Sequence, residues 1–489
     1  AELIKREGPQ ACARGVAVAY DSRIMSREFS QEVCCVLAAN GIKCWLFDSL
    51  RPTPELSYAI RKLNCIAGIN ITASHNPKEY NGYKAYWSDG IQLSPEQAKV
   101  VFDTMSKMDV FEDVKVVSFD QAQEWITVLD EDFDEFYMQQ VLAQTIRPDV
   151  IRQQCDLSIV YTPFHGAGLR LVPEVLARAG FENVHPVEQQ MVPDGTFPTV
   201  KSPNPENKEG FQLAIELAEK LGSDLIIGTD PDSDRMGIVV RKSDGEYVAV
   251  TGNQTGVILL QYILSSYAQL GSMPKNPLVV KTIVTSELAS RICERYGAQI
   301  VNVLTGFKFI GEQIEQCVDT QKNTFVMGYE ESYGYLVGTY ARDKDGVVAS
   351  LLIAEAAAYY RSRGMTLWDA LCEIYAEYGY HMEQTVNLYM EGLDGKEKMK
   401  KLMAQLRDHA PAELGGIAVK EVRDYSKGIL GLPKSDVLYY VLQDQSVVVV
   451  RPSGTEPKVK IYIMVSAKDE QAAQQKVNLL GQDLKQKYL

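Results

Sequence analysis

The sequence predicts an α/β protein: three successive mixed-sheet α/β domains followed by an α+β C-terminal domain. Three observations lead there. Short apolar runs recur, each followed by a polar loop and then by a segment of helical periodicity, as in strand–loop–helix units. After about Tyr380 the pattern shifts to hairpins and two helices. The 489 residues are enough for several domains.

In the first unit, residues 16–19 read as a strand. Ser26 is placed to cap a helix carrying Phe29, Val33 and Leu37 on one face and stopped at Gly41. Residues 43–47 form the next strand, and Thr53-Pro54 opens a helix with proline at its tolerated first position. Residues 65–71 form a third strand. The second unit has a strand at 157–161, a turn at 163–168, a helix over 206–221, a strand at 224–227 and a hairpin around Ser243-Asp244-Gly245. The third has a strand at 324–327 and a helix at 347–361; the fourth has strands at 446–450 and 459–465. The domains are expected at 1–151, 152–264, 265–380 and 381–489.

Apolar content of 46% and charged content of 23% are those of a globular protein. The net charge of −14 argues against nucleic acid or an anionic membrane as partner. An anionic ligand would have to be drawn by local basic loops. No apolar run reaches membrane-spanning length, and the start does not resemble a signal peptide. The nine cysteines show no C-x-x-C and sit mostly in apolar segments, so reduced core thiols and a cytoplasmic location are expected. Five histidines argue against a multi-histidine metal site.

Four loops carry residues with chemistry. Thr72-Ala73-Ser74-His75-Asn76-Pro77 follows the third strand. A serine there is presented at the mouth of an α/β sheet, where such sheets bind ligands. Pro77 has a fixed φ and biases Asn76 away from the helical region, so the turn is stiff. An ordinary turn has the same composition, and residue type alone leaves both readings open. Gly228-Thr229-Asp230-Pro231-Asp232-Ser233-Asp234-Arg235 places three carboxylates at i, i+2 and i+4, able to converge on a hard cation such as Mg²⁺. An EF-hand begins with the same spacing, but it needs glycine where Arg235 stands and glutamate where Arg241 stands. Arg235 points to an anion beside the metal; a solvated acidic turn is the alternative.

Gly328-Tyr329-Glu330-Glu331-Ser332-Tyr333-Gly334 suits hydrogen bonding to sugar hydroxyls, and equally an acidic hairpin tip. In Arg451-Pro452-Ser453-Gly454-Thr455-Glu456-Pro457-Lys458, an arginine, two hydroxyls and the N–H groups around Gly454 make an anion cradle. No Walker loop and no complete G-x-G-x-x-G occurs.

Ser74 in its TASHNP run, the Asp230/Asp232/Asp234 loop, Glu330-x-Ser332 and Arg451-x-Ser453-Gly454-Thr455 stand in the order found in the α-D-phosphohexomutases. From about Val16 onward the chain resembles that family. The runs Thr251-Gly252-Asn253-Gln254-Thr255-Gly256, Thr305-Gly306-Phe307-Lys308-Phe309-Ile310-Gly311 and Ala341-Arg342-Asp343-Lys344-Asp345-Gly346 are similar to its phosphoglucomutase/phosphomannomutase branch. The resemblance implies four domains around a central cleft, with one motif loop from each.

It also implies an intramolecular phosphotransferase that interconverts glucose 1-phosphate and glucose 6-phosphate. Ser74 would carry the phosphoryl group, a bisphosphorylated sugar would be the intermediate, and glucose 1,6-bisphosphate would be the activator. Mg²⁺ would be bound by Asp230, Asp232, Asp234 and the phosphorylated Ser74, with Arg235 stabilising charge during transfer. Lys84, in Asn81-Gly82-Tyr83-Lys84, would be the general acid/base, a role open to a lysine if nearby positive charge and burial lower its pKa. His75 would support it. Glu330, Ser332, Gly306, Lys308 and Lys344 would contact the sugar, and Arg451, Ser453, Gly454, Thr455 and Arg23 the phosphate. The partner is a phosphorylated hexose, with no nucleic acid and no membrane, on a monomer or homodimer.

Two departures stand out. The family opens with a Gly-Thr-x-Gly-x-Arg segment whose arginine faces the cleft; this sequence starts at Ala1 without it, so part of the first domain is expected to be missing. The stretch 421–432 is short for the branch. Phosphomannomutase or phosphopentomutase activity, a catalytically impaired phosphosugar-binding protein and a metal-dependent phosphatase are the competing readings.

Overall fold

β1 (Val16–Tyr20) is apolar or aromatic at every position, which suits a strand covered on both faces. In the computed structural model, which describes residues 1–390, 394–453 and 458–488, it is the central strand of a five-stranded sheet. With β2 (Cys44–Phe47), β3 (Ala67–Ile71), β4 (Tyr83–Trp87) and β5 (Ile126–Leu129), the order is β4-β3-β1-β2-β5. All pairs are parallel except β3 with β4. The second sheet holds β6 (Ile159–Thr162), β7 (Val184–Pro186), β8 (Leu225–Thr229), β9 (Met236–Arg241) and β10 (Tyr247–Val250) in the order β10-β9-β8-β6-β7. It too is mixed. The third holds β11 (Pro277–Thr282), β12 (Gln299–Val303), β13 (Thr324–Glu330) and β14 (Gly334–Val337) in the order β12-β11-β13-β14.

The fourth sheet is antiparallel. It orders β15 (Tyr380–Tyr389), β16 (Glu413–Leu414), β17 (Ile417–Asp424), β18 (Leu438–Leu442), β19 (Val447–Pro452) and β20 (Lys458–Ala467) as β15-β20-β19-β18-β17-β16. Helices Gly395–Asp408 and Glu470–Tyr488 bury Leu402, Met403, Leu480 and Leu484 in one core with Val448 and Ile461 of this sheet. By contacts the chain divides into two compact units: Ala1–Val280, Tyr296–Gln299 and Gly306–Ala370 in one, and Lys281–Arg295, Ile300–Thr305 and Leu371–Leu489 in the other.

Two long helices of the first unit, Gly252–Leu270 and Gly346–Ser362, are apolar nearly all round, and most of their residues are buried. Each starts on a side-chain cap. Thr251 and Gln254 form a capping box, and Asp345 accepts from the N–H groups of Val347 and Val348. Among the described residues no helix is long and apolar enough to cross a membrane.

Several expected elements shift. Ser26 does not cap its helix; Met25 holds the cap position, and the Ser26 hydroxyl donates to Asp21 at 2.8 Å. The helix expected over 206–221 starts only at Gln212, after a 3₁₀ turn at Lys208–Phe211, because residues 203–207 lie outside it as turn and coil. The strand expected at 324–327 runs on to Glu330, since its hairpin partner pairs as far as Gly334. The helix Gly252–Leu270 runs unbroken through the expected 264/265 boundary.

One buried carboxyl makes stability depend on pH. Glu355, wholly buried in the second long helix, accepts from the N–H groups of Ile146 and Arg147. Burial pushes it from the ordinary 4.5 up to about 7. Because the folded pKa lies above the unfolded one, this contribution is fully present below pH 4.5 and is lost as pH rises through 7. Glu355→Gln keeps an acceptor without the charge. The variant is expected to gain on the native protein by about 3 kcal/mol between those limits. Parallel melting curves across that range check it; a constant difference would refute it.

Candidate active site

Strands β3, β8 and β13 deliver three of the motif loops at their carboxyl ends. Ser74 follows β3 and has a left-handed φ of +51°, which costs a non-glycine residue roughly 1–2 kcal/mol. Surrounding bonds hold it there. Its N–H donates to Thr72 Oγ1 at 2.8 Å, and its carbonyl accepts from Arg23 Nη2 at 2.6 Å. Its hydroxyl donates to Asp230 Oδ2 at 2.8 Å and lies 3.2 Å from His75 Nδ1.

The aspartate loop closes tightly after β8. Ser233 has φ +50°, and its N–H returns to the Asp230 carbonyl at 2.8 Å. Ala167 N–H donates to Pro231 O at 2.7 Å and Gly346 N–H to Ser233 O at 3.0 Å. The ligand atoms of Asp230, Asp232 and Asp234 lie within 4.8 Å of one another, and all three residues are buried. Asp232 Oδ1 and Asp234 Oδ1 have no hydrogen-bond partner among the described residues. Three clustered carboxylates with two unsatisfied buried oxygens are a donor set that fits Mg²⁺.

Two lysines neutralise part of this charge. Lys84 Nζ lies 2.6 Å from Asp232 Oδ2 and 3.0 Å from Asp234 Oδ2. Lys344 Nζ lies 3.1 Å from Asp234 Oδ2 and 3.1 Å from Asp343 Oδ1. Strand β4 positions Lys84 opposite Asn70, whose amide donates to Thr53 Oγ1, which in turn donates to Asp232 Oδ2 at 2.7 Å. The Thr53 N–H also binds the Asp232 carbonyl at 2.9 Å. Thr53 and Asn70 thus brace a candidate metal ligand, although their sequence signals were only a helix start and a strand position.

The charge states follow from these neighbours. Burial and the adjacent Asp232 and Asp234 push Asp230 well above the usual carboxyl range. Burial also pushes Asp234 up, but Lys344, Lys84 and Arg235 overcome it and leave it below its ordinary value. Burial lowers Lys84, yet Asp232 and Asp234 outweigh it and hold the ammonium charged well above its usual range. The lowered pKa expected for a lysine base is therefore absent. Burial, then Arg235, press His75 well below its ordinary value, so its imidazole is neutral.

Arg235 N–H donates to Asp230 Oδ1 at 3.0 Å and its guanidinium to Glu206 at 3.1 Å, while its buried Nε has no hydrogen-bond partner among the described residues. Glu330 closes β13; burial raises its pKa against the pull of Lys344 and Arg235, and Oε1 accepts from Gly306 N–H at 2.9 Å. Lys308 is half-buried in the first turn of helix Phe307–Thr320, with its ammonium 5.4 Å from the Phe309 ring centre. Ser332 is half-buried in the β13–β14 turn. Arg23, expected beside phosphate, has a side chain with no exposed surface. In the second unit, Arg451 lies in β19 opposite Lys460, and Ser453 N–H donates to Lys458 O at 2.8 Å. Gly454 and Thr455 lie outside the described residues.

A Cβ on Gly346 would lie 2.7 Å from the Ser233 carbonyl and 2.9 Å from that of Arg235. Gly346→Ala is therefore expected to displace the aspartate loop, costing about 1–3 kcal/mol of stability and weakening Mg²⁺ binding. Calorimetric titration of Mg²⁺ beside a melting curve checks this, and native metal affinity would refute it.

The phosphoglucomutase/phosphomannomutase models match in sequence: α/β/α domain I at residues 1–110, domain II at 135–245, domain III at 251–378 and the C-terminal domain at 393–482. A phosphoglucomutase of Staphylococcus aureus strain MRSA252 is 37% identical over 476 residues, covering 95% of this chain and 84% of the relative; that of strain USA300 matches to the same extent. A Thermus thermophilus protein assigned as a phosphomannomutase superposes with TM-score 0.73 at 22% identity, covering 99% of this chain and 92% of its own. The Paramecium phosphoprotein parafusin, a phosphoglucomutase in its open form, gives 0.71 at 20%, covering 96% and 87%. An Aspergillus fumigatus N-acetylphosphoglucosamine mutase, solved with glucose 1,6-bisphosphate, gives 0.53 at 13%, covering 98% of each chain. These structures share the fold, and the sequence matches go further: the chain belongs to the phosphoglucomutase/phosphomannomutase family of α-D-phosphohexomutases.

Proposed function

We propose that this protein interconverts glucose 1-phosphate and glucose 6-phosphate by carrying the phosphoryl group on Ser74. The observation that supports it most is the Ser74 hydroxyl 2.8 Å from Asp230, inside a buried three-aspartate cluster ringed by Lys84, Lys344 and Arg235. The 37% identical phosphoglucomutases support the choice of sugar. Four domains, divided as the four family matches divide them, are part of the same proposal.

Phosphorylated Ser74 would give its group to the free hydroxyl of the sugar monophosphate: the Oγ–P bond breaks as the sugar O–P bond forms. The second phosphate of the bisphosphorylated sugar then passes to the freed Ser74 hydroxyl. His75, neutral and 3.2 Å from Oγ, is placed to take the serine proton in that second transfer. In the first transfer Lys84 is placed to give a proton to the departing serine oxygen and to regain one from the attacking sugar hydroxyl; in the second, the proton taken from serine passes on to the departing sugar oxygen. Asp230, Asp232 and Asp234 would hold Mg²⁺, whose chemistry is the neutralisation of charge on phosphoryl oxygens. Arg235 would share that task. Glu330, Ser332, Lys308 and Lys344 are proposed sugar contacts. Arg451, Ser453, Gly454 and Thr455 are proposed phosphate ligands. Glucose 1,6-bisphosphate, present in the Aspergillus complex, is the proposed activator.

A coupled assay with Mg²⁺ and trace glucose 1,6-bisphosphate, together with intact mass, tests this. Expected are turnover of glucose 1-phosphate and a phosphate-sized mass increment on Ser74. Turnover confined to mannose or pentose phosphates would overturn the choice of sugar. Release of inorganic phosphate as fast as isomerisation would make the protein a phosphatase. Binding without turnover would leave a phosphosugar-binding protein.

A further inference from the structure

We propose that Arg23 is the positioning residue of the Ser74 loop, fixing the nucleophile through its backbone instead of binding a substrate phosphate. The proposal rests on Ser74 as phosphoryl carrier. A guanidinium has four hydrogens on its two terminal nitrogens, and here four carbonyls take them. Nη2 donates to the carbonyls of Ser74 at 2.6 Å and Asn76 at 2.5 Å. Nη1 donates to those of Pro77 at 2.9 Å and Tyr80 at 2.8 Å. No Nη hydrogen is left for a phosphate. The Phe197 ring covers the guanidinium, with its centre 5.1 Å from Cζ.

Asp21 completes the device. It is 2% exposed and lies 3.2 Å from Arg23 Nε. It also accepts from the Arg23 N–H at 2.9 Å and the Thr72 hydroxyl at 2.6 Å. Thr72 Oγ1 in turn accepts from the Ser74 N–H at 2.8 Å. One buried pair therefore grips both sides of Ser74, the N–H through Thr72 and the carbonyl through Arg23. This holds a serine in the left-handed region that a free loop would leave, and with it the direction of Oγ toward Asp230. Lysine cannot replace the clamp, because a single ammonium has three donors and no planar fork.

The test uses Arg23→Lys and Arg23→Ala in the full chain. A misplaced nucleophile is expected to lower kcat about a hundredfold while the Kd of glucose 1-phosphate, by calorimetry, stays within about twofold. Hydrogen exchange at amides 74–80 is expected to accelerate about tenfold or more while β1 and β3 keep their protection. Millimolar guanidinium is expected to restore part of the activity of Arg23→Ala. If that variant melts within the assay range, Arg23→Lys, which keeps charge and stem, carries the same comparisons. Unchanged kcat overturns the proposal. So does a Kd weakened tenfold with loop exchange unaltered, which would return Arg23 to phosphate binding. Should the native protein turn over no sugar phosphate, the functional reading fails, and the exchange experiment still decides whether Arg23 holds the loop.

Discussion

Ser74→Ala is expected to lower glucose 1-phosphate turnover by about 10⁴-fold or more, since a transferred group then has no covalent carrier. The variant removes one oxygen from a buried position and nothing else. Alanine has the same Cβ at the same left-handed φ, so the backbone strain is unchanged. The lost contact is the hydrogen bond to Asp230, and His75 keeps its place in the chain. Melting temperature and the Kd of glucose 1-phosphate are therefore expected near native values, and mass spectrometry should find no phosphate increment. This combination separates loss of chemistry from loss of fold. Residual turnover above about a hundredth of the native rate would remove Ser74 from the role of carrier.

The second large effect sits at the aspartate cluster. Chelation is expected to lower turnover by about 10²–10⁴-fold, restored by Mg²⁺, because charge on the transferred group would then be met only by Arg235, Lys84 and Lys344. Asp230→Asn is expected to produce the same loss without restoration. Its effect on stability has the opposite sign. Asp230 is buried beside two further carboxylates, and burial together with those charges disfavours its ionised form. Asparagine keeps an acceptor for the Arg235 N–H and removes the like charge. The metal-free variant should melt above the metal-free native protein, and added Mg²⁺ should raise the native melting temperature far more than that of the variant. A variant that melts lower, or that Mg²⁺ stabilises equally, would show that these carboxylates are not a cation site.

The motif loops were legible because each follows an apolar strand. Residues 16–20, 67–71 and 225–229 bury every position, so periodicity marks them plainly, and the chain must turn where they end. Local capping was less legible. Ser26 has the residue type of a helix cap, but the buried Asp21 nearby competes for its hydroxyl and wins it. The late start of the Gln212 helix and the length of β13 were equally invisible, since a 3₁₀ turn and a hairpin partner settle them.

Site residues divide the same way. Asp230, Asp232 and Asp234 announce themselves by their alternate spacing, whereas Ser74 is marked only by a run that resembles the family's. Thr53 is marked by neither: a threonine before proline signals only a helix start, and its partner Asp232 lies 179 residues on. Lys84 and Arg23 were recognised as residues, but their surroundings were not. A lysine base calls for a lowered pKa; two aspartates 148 and 150 positions away raise that of Lys84.

By itself, then, the sequence determined the strands that lead into the motif loops, where the chain turns after them, and which oxygens and cations those turns display. All of these depend on residue type and on neighbours within one element. The tertiary structure alone decided which charges meet. A pKa, a proton's direction or an arginine's task depends on groups within a few ångströms, and here those groups lie far apart in sequence, on another sheet for Lys84 and in a distant loop of the same sheet for Arg23. Arg23 shows the difference most sharply: as a residue it could serve phosphate or backbone, and four carbonyls folded around it take its Nη hydrogens.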